Sequence, residues 1–265
     1  MSILSTIVDH KKKEVESSKE LIPISDLGRM EYYERNPLSF TDFLLSPDKN
    51  GIIAEFKRKS PSKGIINNTS RIEDVTSGYT ANGASALSVL TDFIFFGGSV
   101  DDLQRARAVN DIPILRKEFV IDEYQIHEAK AIGADAILLI ASILNKSQAI
   151  SLAKKAHELK LQVLLEIHEE EELELLNEYL DAIGINNRNL KTFEVDLQHS
   201  VDLAKKIPDE YIKISESGIS SIHDIEYLKN HGFSGFLIGE NFMKNDDPVS
   251  SFANFVNDLS NPNKT

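Results

Sequence analysis

Glu55 and Lys57 stand two residues apart at the end of an apolar run, Gly51-Ile52-Ile53-Ala54-Glu55-Phe56-Lys57. Strand side chains alternate faces, so the carboxylate and the ammonium point to one side and Phe56 to the other. A plain ion pair at a strand end is the bland alternative. Lys117 closes a second run, Pro113-Ile114-Leu115-Arg116-Lys117, in phase with Leu115. Glu166 sits inside a third, Val163-Leu164-Leu165-Glu166-Ile167, where a lone carboxylate is costly unless a cation or donor meets it. Gathered around one cavity, Lys57, Lys117 and Glu166 would form an acid/base set. Each lysine would stabilise ionised Glu166, while the two lysines would repel and lower each other's proton affinity. A lysine loosened in this way is a usable general acid near neutral pH, and Glu166 a usable base.

Something must bring groups so distant in sequence together. From residue 51 onward, eight short apolar runs alternate with longer segments of helical spacing. The runs are 51–56, 86–90, 113–116, 135–140, 162–167, 181–185, 211–215 and 235–238, each nearly continuous in apolar character, as strands covered on both faces are. Between them, residues 122–132 and 145–159 carry apolar stripes at helical spacing. Similar helix-to-strand turns recur at Ala81-Asn82-Gly83-Ala84-Ser85-Ala86, Ile132-Gly133-Ala134-Asp135-Ala136 and His231-Gly232-Phe233-Ser234-Gly235. Eight strand–helix units in about 210 residues predict an α/β fold, a (β/α)8 TIM barrel, whose chemistry lies at the C-terminal ends of the strands. A doubly wound open sheet is the alternative, but it has fewer units and a Gly-rich first turn. Residues 1–49 read as an N-terminal helical extension packed on the barrel, 50–260 as the barrel and 261–265 as a tail. Lys11 to Lys13 read as a solvated helix face, and Glu169 to Glu172 with Glu174 as the solvated start of a helix.

The last two strands end in small residues, Ser217-Gly218-Ile219 and Ile238-Gly239-Glu240. Loops at these positions with a helix N-terminus form the usual phosphate cradle of a barrel. Composition excludes other classes. With 29 basic and 42 acidic residues, the net charge is −13, which argues against binding nucleic acid or anionic membrane. No apolar run approaches the roughly 20 residues that span a bilayer, and the charged N-terminal segment does not read as a secretory leader. The chain has no cysteine, which excludes disulfides, thiolate metal sites and a cysteine nucleophile. Its seven histidines show no metal-ligand spacing, so no metal or coenzyme is expected. A cytoplasmic protein that is a monomer or weak homodimer is expected.

The segment Ile53-Ala54-Glu55-Phe56-Lys57-Arg58-Lys59-Ser60-Pro61-Ser62-Lys63-Gly64 resembles the signature of the indole-3-glycerol phosphate synthase family. The resemblance continues in order through Ser88 to Asp92 with Phe96 to Ser99, Leu115 to Phe119, Leu165 to His168, Ile183 to Leu190, Ser215 to Ile219 and Leu237 to Glu240. Residues 3–18 look like the family's extra N-terminal helix, and residues 19–38 match least. Glu118 and Asn189 stand where Asp is common, and Phe56 where Tyr or Val is.

The resemblance implies a carboxy-lyase of tryptophan biosynthesis. It would convert 1-(2-carboxyphenylamino)-1-deoxyribulose 5-phosphate to indole-3-glycerol phosphate, CO2 and water. It further implies Lys117 as the acid, Glu166 as the base, and Lys57 assisting hydroxide departure or holding phosphate. Glu55, Asn186 and Ser217 complete the catalytic group. Ser60 and Arg188 would hold the aromatic carboxylate, Phe96 and Phe119 would wall the ring, and Gly218, Gly239 and Glu240 would offer backbone N–H groups to phosphate. Lys57, Arg58, Lys59, Lys63, Lys117 and Arg188 would make the mouth locally positive, and the loop from Ser60 to Asn68 would close over the ligand. Three rivals remain: a sugar-phosphate isomerase on the same barrel, a Schiff-base aldolase using a lysine amine, and a non-catalytic sugar-phosphate sensor.

Overall fold

The computed structural model describes residues 3–189 and 194–261. Met1, Ser2, Leu190 of the sixth strand's motif and the end of the tail lie outside the described residues. Eight parallel strands close into a barrel: β1 (Ile52–Phe56), β2 (Ala86–Leu90), β3 (Ile114–Lys117), β4 (Ala136–Ile140), β5 (Gln162–Ile167), β6 (Ala182–Asn186), β7 (Ile212–Glu216) and β8 (Phe233–Ile238). Each pairs with its sequence neighbours, and β8 pairs with β1. The chain is a (β/α)8 barrel, as the eight runs predicted. Only β8 begins clearly early, at Phe233, with a register shift before Gly235. The three recurring turns share one device: Gly83, Gly133 and Gly232 all sit at positive φ, where a side chain would be strained.

Period-two alternation divides the strand residues between two cores. Ile52, Ala54 and Phe56 of β1, with Leu87, Val89, Ile137, Leu139, Ile183 and Ile185, pack outward against the helices. Ile53, Ala86, Leu115, Ala136, Leu138, Leu164, Ala182, Ile214 and Leu237 fill the interior. Along the inward phase each strand starts apolar, and several end polar: Ile53–Glu55–Lys57, Leu115–Lys117, Leu164–Glu166 and Ile214–Glu216. The barrel is therefore a solid core below and a charged rim above.

Two expected helices have capping boxes. Asp122 with Gln125 starts the helix Glu123–Ala131, and Asn145 with Gln148 starts Lys146–Glu158. The acidic run after β5 is the largely exposed start of a helix, as expected, with Glu172 alone of the expected residues half-buried. It forms a 3-10 helix, Glu170–Leu175, and Glu172 folds back to accept the N–H groups of His168 and Glu169 at 2.5 and 3.1 Å.

The segment before the barrel reaches both of its ends. The first helix, Ile3–Leu21, lays Ile3, Leu4 and Ile7 over the mouth. The following residues run along Glu123–Ala131, where Tyr124 donates to the carbonyls of Ser18 and Ile22. Arg35 then pairs with buried Asp135 just before β4, and the short helix Phe40–Leu45 sends Phe40 and Leu44 into the bottom of the interior core.

Lys11 is not solvated, contrary to expectation. Its side chain is 1% exposed, and its ammonium lies 3.0–3.1 Å from Glu14, Asp92 and Glu118. Burial opposes its charge, but the three carboxylates outweigh burial and raise its proton affinity. Asp92 also caps the short helix Phe93–Phe96 through the N–H groups of Phe95 and Phe96. Lys11 thus ties the mouth-covering helix to two loops of the rim. Removing one partner of a buried ion cluster costs about 3 kcal/mol or more. Lys11→Met is expected to lose that much unfolding free energy in urea titration; a loss below about 1 kcal/mol, the scale of an exposed pair, would show the cluster to be dispensable.

Candidate active site

Every side chain and glycine picked from the sequence as a site residue lines one cavity at the C-terminal end of the barrel. Its volume is about 310 Å³, at the small end of ligand pockets. Lys117 is at its centre. The Lys117 ammonium, projecting from the end of β3, lies 2.7 Å from Glu166 Oε2 of β5 and 3.2 Å from Glu216 Oε2 of β7. Asn186 at the end of β6 donates to Glu166 Oε1 at 2.9 Å. Strand register sets these neighbours: Glu166 lies level with Gly184, and Asn186 with Glu216.

The proton affinities follow from this packing. Burial alone would loosen the Lys117 proton, but Glu166, Glu216 and Glu55 reverse that and hold it above the ordinary lysine range. For Glu166, burial is overcome by Lys117 and His168, which keep its carboxyl well below the usual carboxylate range. Glu216 is the odd acid. Burial and the charges of Glu166 and Glu55 push it up to about 7, against the pull of Lys117. Gly184 makes room for it, since a Cβ there would come within 2.1 Å of Glu216 Oε1.

On β1, Lys57 pairs with Glu55 at 2.8 Å, and Ser88 donates to the other oxygen of Glu55 at 3.1 Å. A Cβ at Gly239 would approach Glu55 Oε1 to 2.7 Å, so the β8 loop passes close only because it is glycine. Phe96 and Phe119 form one wall, their ring centroids 5.8 Å apart. The lining also includes Arg188, Ser217, Gly218, Glu240 and Lys244. Ser217 holds the left-handed conformation (φ 69), uncommon for a residue with a side chain, and its carbonyl accepts from Asn187 at 2.6 Å. The carboxylate of Glu240 lies 3.5 Å from Arg188 and 3.8 Å from Lys63. Ser60 is on a small hairpin, Lys59–Ser60 with Gly64–Ile65, at the cavity edge.

The family model for indole-3-glycerol phosphate synthase matches residues 4–255 of this chain. The chain belongs to the indole-3-glycerol phosphate synthase family. An indole-3-glycerol phosphate synthase of Bacteroides thetaiotaomicron is 50% identical over 254 residues, which cover 96% of this chain and 97% of the relative. One of Legionella pneumophila (strain Paris) is 40% identical, covering 97% and 99%. Among solved structures, a mutant tryptophan synthase alpha-subunit of Pyrococcus furiosus superposes with a TM-score of 0.60 at 14% identity, covering 80% of this chain and 98% of that one. A 3-hexulose-6-phosphate synthase of Salmonella typhimurium gives 0.63 at 13%, covering 80% and 99%. These two establish the barrel alone.

Several expectations about this family site need correction. Lys117 is not loosened, because carboxylates rather than Lys57 surround it. Lys57 pairs with Glu55, not Glu166. The positive mouth is smaller than expected: Arg58 turns away to grip Asp102 with both guanidinium arms at 2.6 and 2.8 Å, and Lys59 donates to the carbonyl of Ile94 at 2.6 Å. Lys244, not picked from the sequence, lines the cavity. Glu216 lies inside the family-like segment Ser215 to Ile219 but is not among the residues picked from the sequence. The alternation rule that selects Glu55 and Lys57 also selects it, since Ile214 and Glu216 share the inward phase.

Folded Glu216 keeps its proton up to about pH 7, whereas an unfolded glutamate loses it near 4.5. The unfolded state therefore binds fewer protons between these values, and stability falls as pH rises through that window. Depressed Glu166 acts oppositely and only at lower pH, below the ordinary carboxylate value. Glu216→Gln is expected to gain on the wild type from about pH 4.5 to about pH 7 and then hold level. Urea unfolding at several pH values checks this; a pH-independent difference would place the Glu216 pKa in the ordinary range.

Proposed function

We propose that this site closes the indole ring of 1-(2-carboxyphenylamino)-1-deoxyribulose 5-phosphate, releasing CO2 and water to give indole-3-glycerol phosphate. Family membership over nearly the whole chain supports the overall reaction. The observation that carries the residue roles is the Lys117 ammonium between Glu166 and Glu216 on the floor of a cavity with an aromatic wall. The substrate is a small phosphorylated molecule. Its charge fits a reaction kept inside the cell, and we place the enzyme in the cytoplasm as a monomer or weak homodimer.

The ring carbon bearing the carboxylate attacks the ketone carbon. As that bond forms, the carbonyl electron pair moves onto oxygen and takes a proton. Lys117, fully protonated at neutral pH, donates it. Its raised proton affinity makes it a weak acid in the resting site, but the developing alkoxide is more basic still. Loss of CO2 then returns an electron pair to the ring and restores aromaticity. The hydroxyl leaves next, taking a proton from Lys57 or from solvent to depart as water, and a proton comes off the adjoining carbon or nitrogen. Glu166 takes that proton.

The two steps are coupled electrostatically. Ionised Glu166 is a poor base while Lys117 is charged beside it. Once Lys117 has given up its proton, the cation that depressed Glu166 is gone and its basicity rises. Glu216, titrating near neutrality, can return a proton to Lys117. Lys57, held by Glu55, assists hydroxide departure or steadies the phosphate, with Asn186 and Ser217 orienting the reacting groups. Arg188 and Ser60 hold the aromatic carboxylate, and Phe96 and Phe119 wall the ring. Gly218, Gly239 and Glu240 give backbone N–H groups to the phosphate.

The chain has no Trp, so a new indole is visible against it by fluorescence. Purified protein mixed with the substrate, without added metal or coenzyme, is expected to develop indole emission; silence at micromolar enzyme would defeat the reading. Lys117→Met is expected to lower turnover by about 10²–10⁴-fold with little change in substrate affinity. A variant keeping a tenth of wild-type turnover would reject Lys117 as the acid. Borohydride in the presence of substrate should trap no lysine adduct, in contrast to a Schiff-base aldolase.

A further inference from the structure

His168 stands two residues beyond Glu166, and its side chain is 9% exposed. Its Nε2 lies 3.3 Å from Glu166 Oε1, yet neither ring nitrogen makes an aligned hydrogen bond. A buried imidazole without firm partners is unusual enough to need a reason, and contacts used in catalysis are often loose before substrate binds.

The reason lies in what is on either side of it. Glu166 lines the substrate cavity, whereas His168 does not. His168 lines a second cavity of about 440 Å³, which Glu166 does not reach. The two spaces share a partition that includes Ile3, Leu4, Asn186 and Arg188. The Glu166–His168 contact therefore runs between the chemistry and a separate space, whose outer lining includes the exposed residues Glu169, Asp196 and His199.

We propose that His168 is a positioning residue that acts through Glu166, carrying the proton Glu166 takes from the substrate out to this second cavity. The proposal rests on the reading of Glu166 as the base. With substrate in the first cavity under Ile3, Leu4 and Ile7, the second cavity offers the proton on Glu166 a route that does not cross the ligand. The step balances as proton transfers alone. Nε2 of neutral His168 accepts the proton from Glu166, and Nδ1, itself buried, passes its own to the carboxylate of Glu172, which lines the second cavity and yields it to solvent there. Only O–H and N–H bonds change.

The charges facing His168 suit this task. Glu166 stands two residues before it near the end of β5, with Lys117 at the other oxygen of that carboxylate. Glu172 of the 3-10 helix lies 3.9 Å from Nδ1. From the helix after β6, Nε2 of His199 lies 2.8 Å from the His168 carbonyl. Burial disfavours the imidazolium, but Glu166, Glu172 and Glu216 outweigh it and raise the proton affinity above the ordinary histidine value. These carboxylates favour a proton on the imidazole, which suits a group that must accept one from Glu166.

The test is steady-state turnover of the full chain with the same substrate, comparing wild type with His168→Gln across pH. The expected result is a fall in kcat of about tenfold or more with KM within about twofold. Added imidazole should raise kcat of the variant and leave the wild type unchanged. An unchanged kcat, a rise in KM alone, or a kcat loss that imidazole does not repair in a folded variant would each overturn the proposal. His168→Asn supplies the same comparison if the glutamine variant does not fold, and failure of both to fold would mark a structural histidine instead. Wild-type silence would instead condemn the ring-closure reading itself, and the relay with it.

Discussion

A buried ammonium must be surrounded by carboxylates, and in this barrel that need falls on Lys117. Water cannot solvate it, so the ends of β5 and β7 supply Glu166 and Glu216. The consequences spread outward. Two acids beside one cation cannot be equally ionised at low cost, so Glu166 carries the charge and Glu216 holds its proton to about 7. Glu216 in turn requires a neighbour without a side chain, which is Gly184. Lys57 forms a separate pair with Glu55, one strand-end ion pair beside another.

This arrangement stores reactivity without exposing it. In the resting site each charge quiets the other, and in the proposed reaction the proton that leaves Lys117 is the event that makes Glu166 basic. If Glu166 is the base, it must lose its proton again before the next turnover, and the second cavity behind His168 has its place in that proposed scheme.

The barrel would present this rim to water without its N-terminal segment. That segment reaches both ends: Phe40 and Leu44 complete the interior core at the bottom, and Ile3, Leu4 and Ile7 roof the mouth. Lys11 is the fastening at the top. It joins the covering helix to Asp92, which caps the turn carrying Phe96, and to Glu118, which precedes Phe119. The aromatic wall and the roof are thereby anchored by one buried cation.

The strands, their order and the inward phase of Glu55, Lys57, Lys117 and Glu166 were legible in the sequence, because period-two alternation and apolar runs are local properties of the chain. The turn glycines at 83, 133 and 232 were legible for the same reason: their backbone angles are set by immediate neighbours. What the sequence could not state is which charges meet. Lys11 to Lys13 look alike in one dimension, yet only Lys11 faces Asp92 and Glu118, which lie far along the chain. Arg58 looks like a mouth cation until Asp102 is found beside it. Lys117 looks loosened by Lys57 until three carboxylates are placed around it. Charge interactions depend on distance through space and on exclusion of water, and both are properties of the closed barrel rather than of the order of its residues.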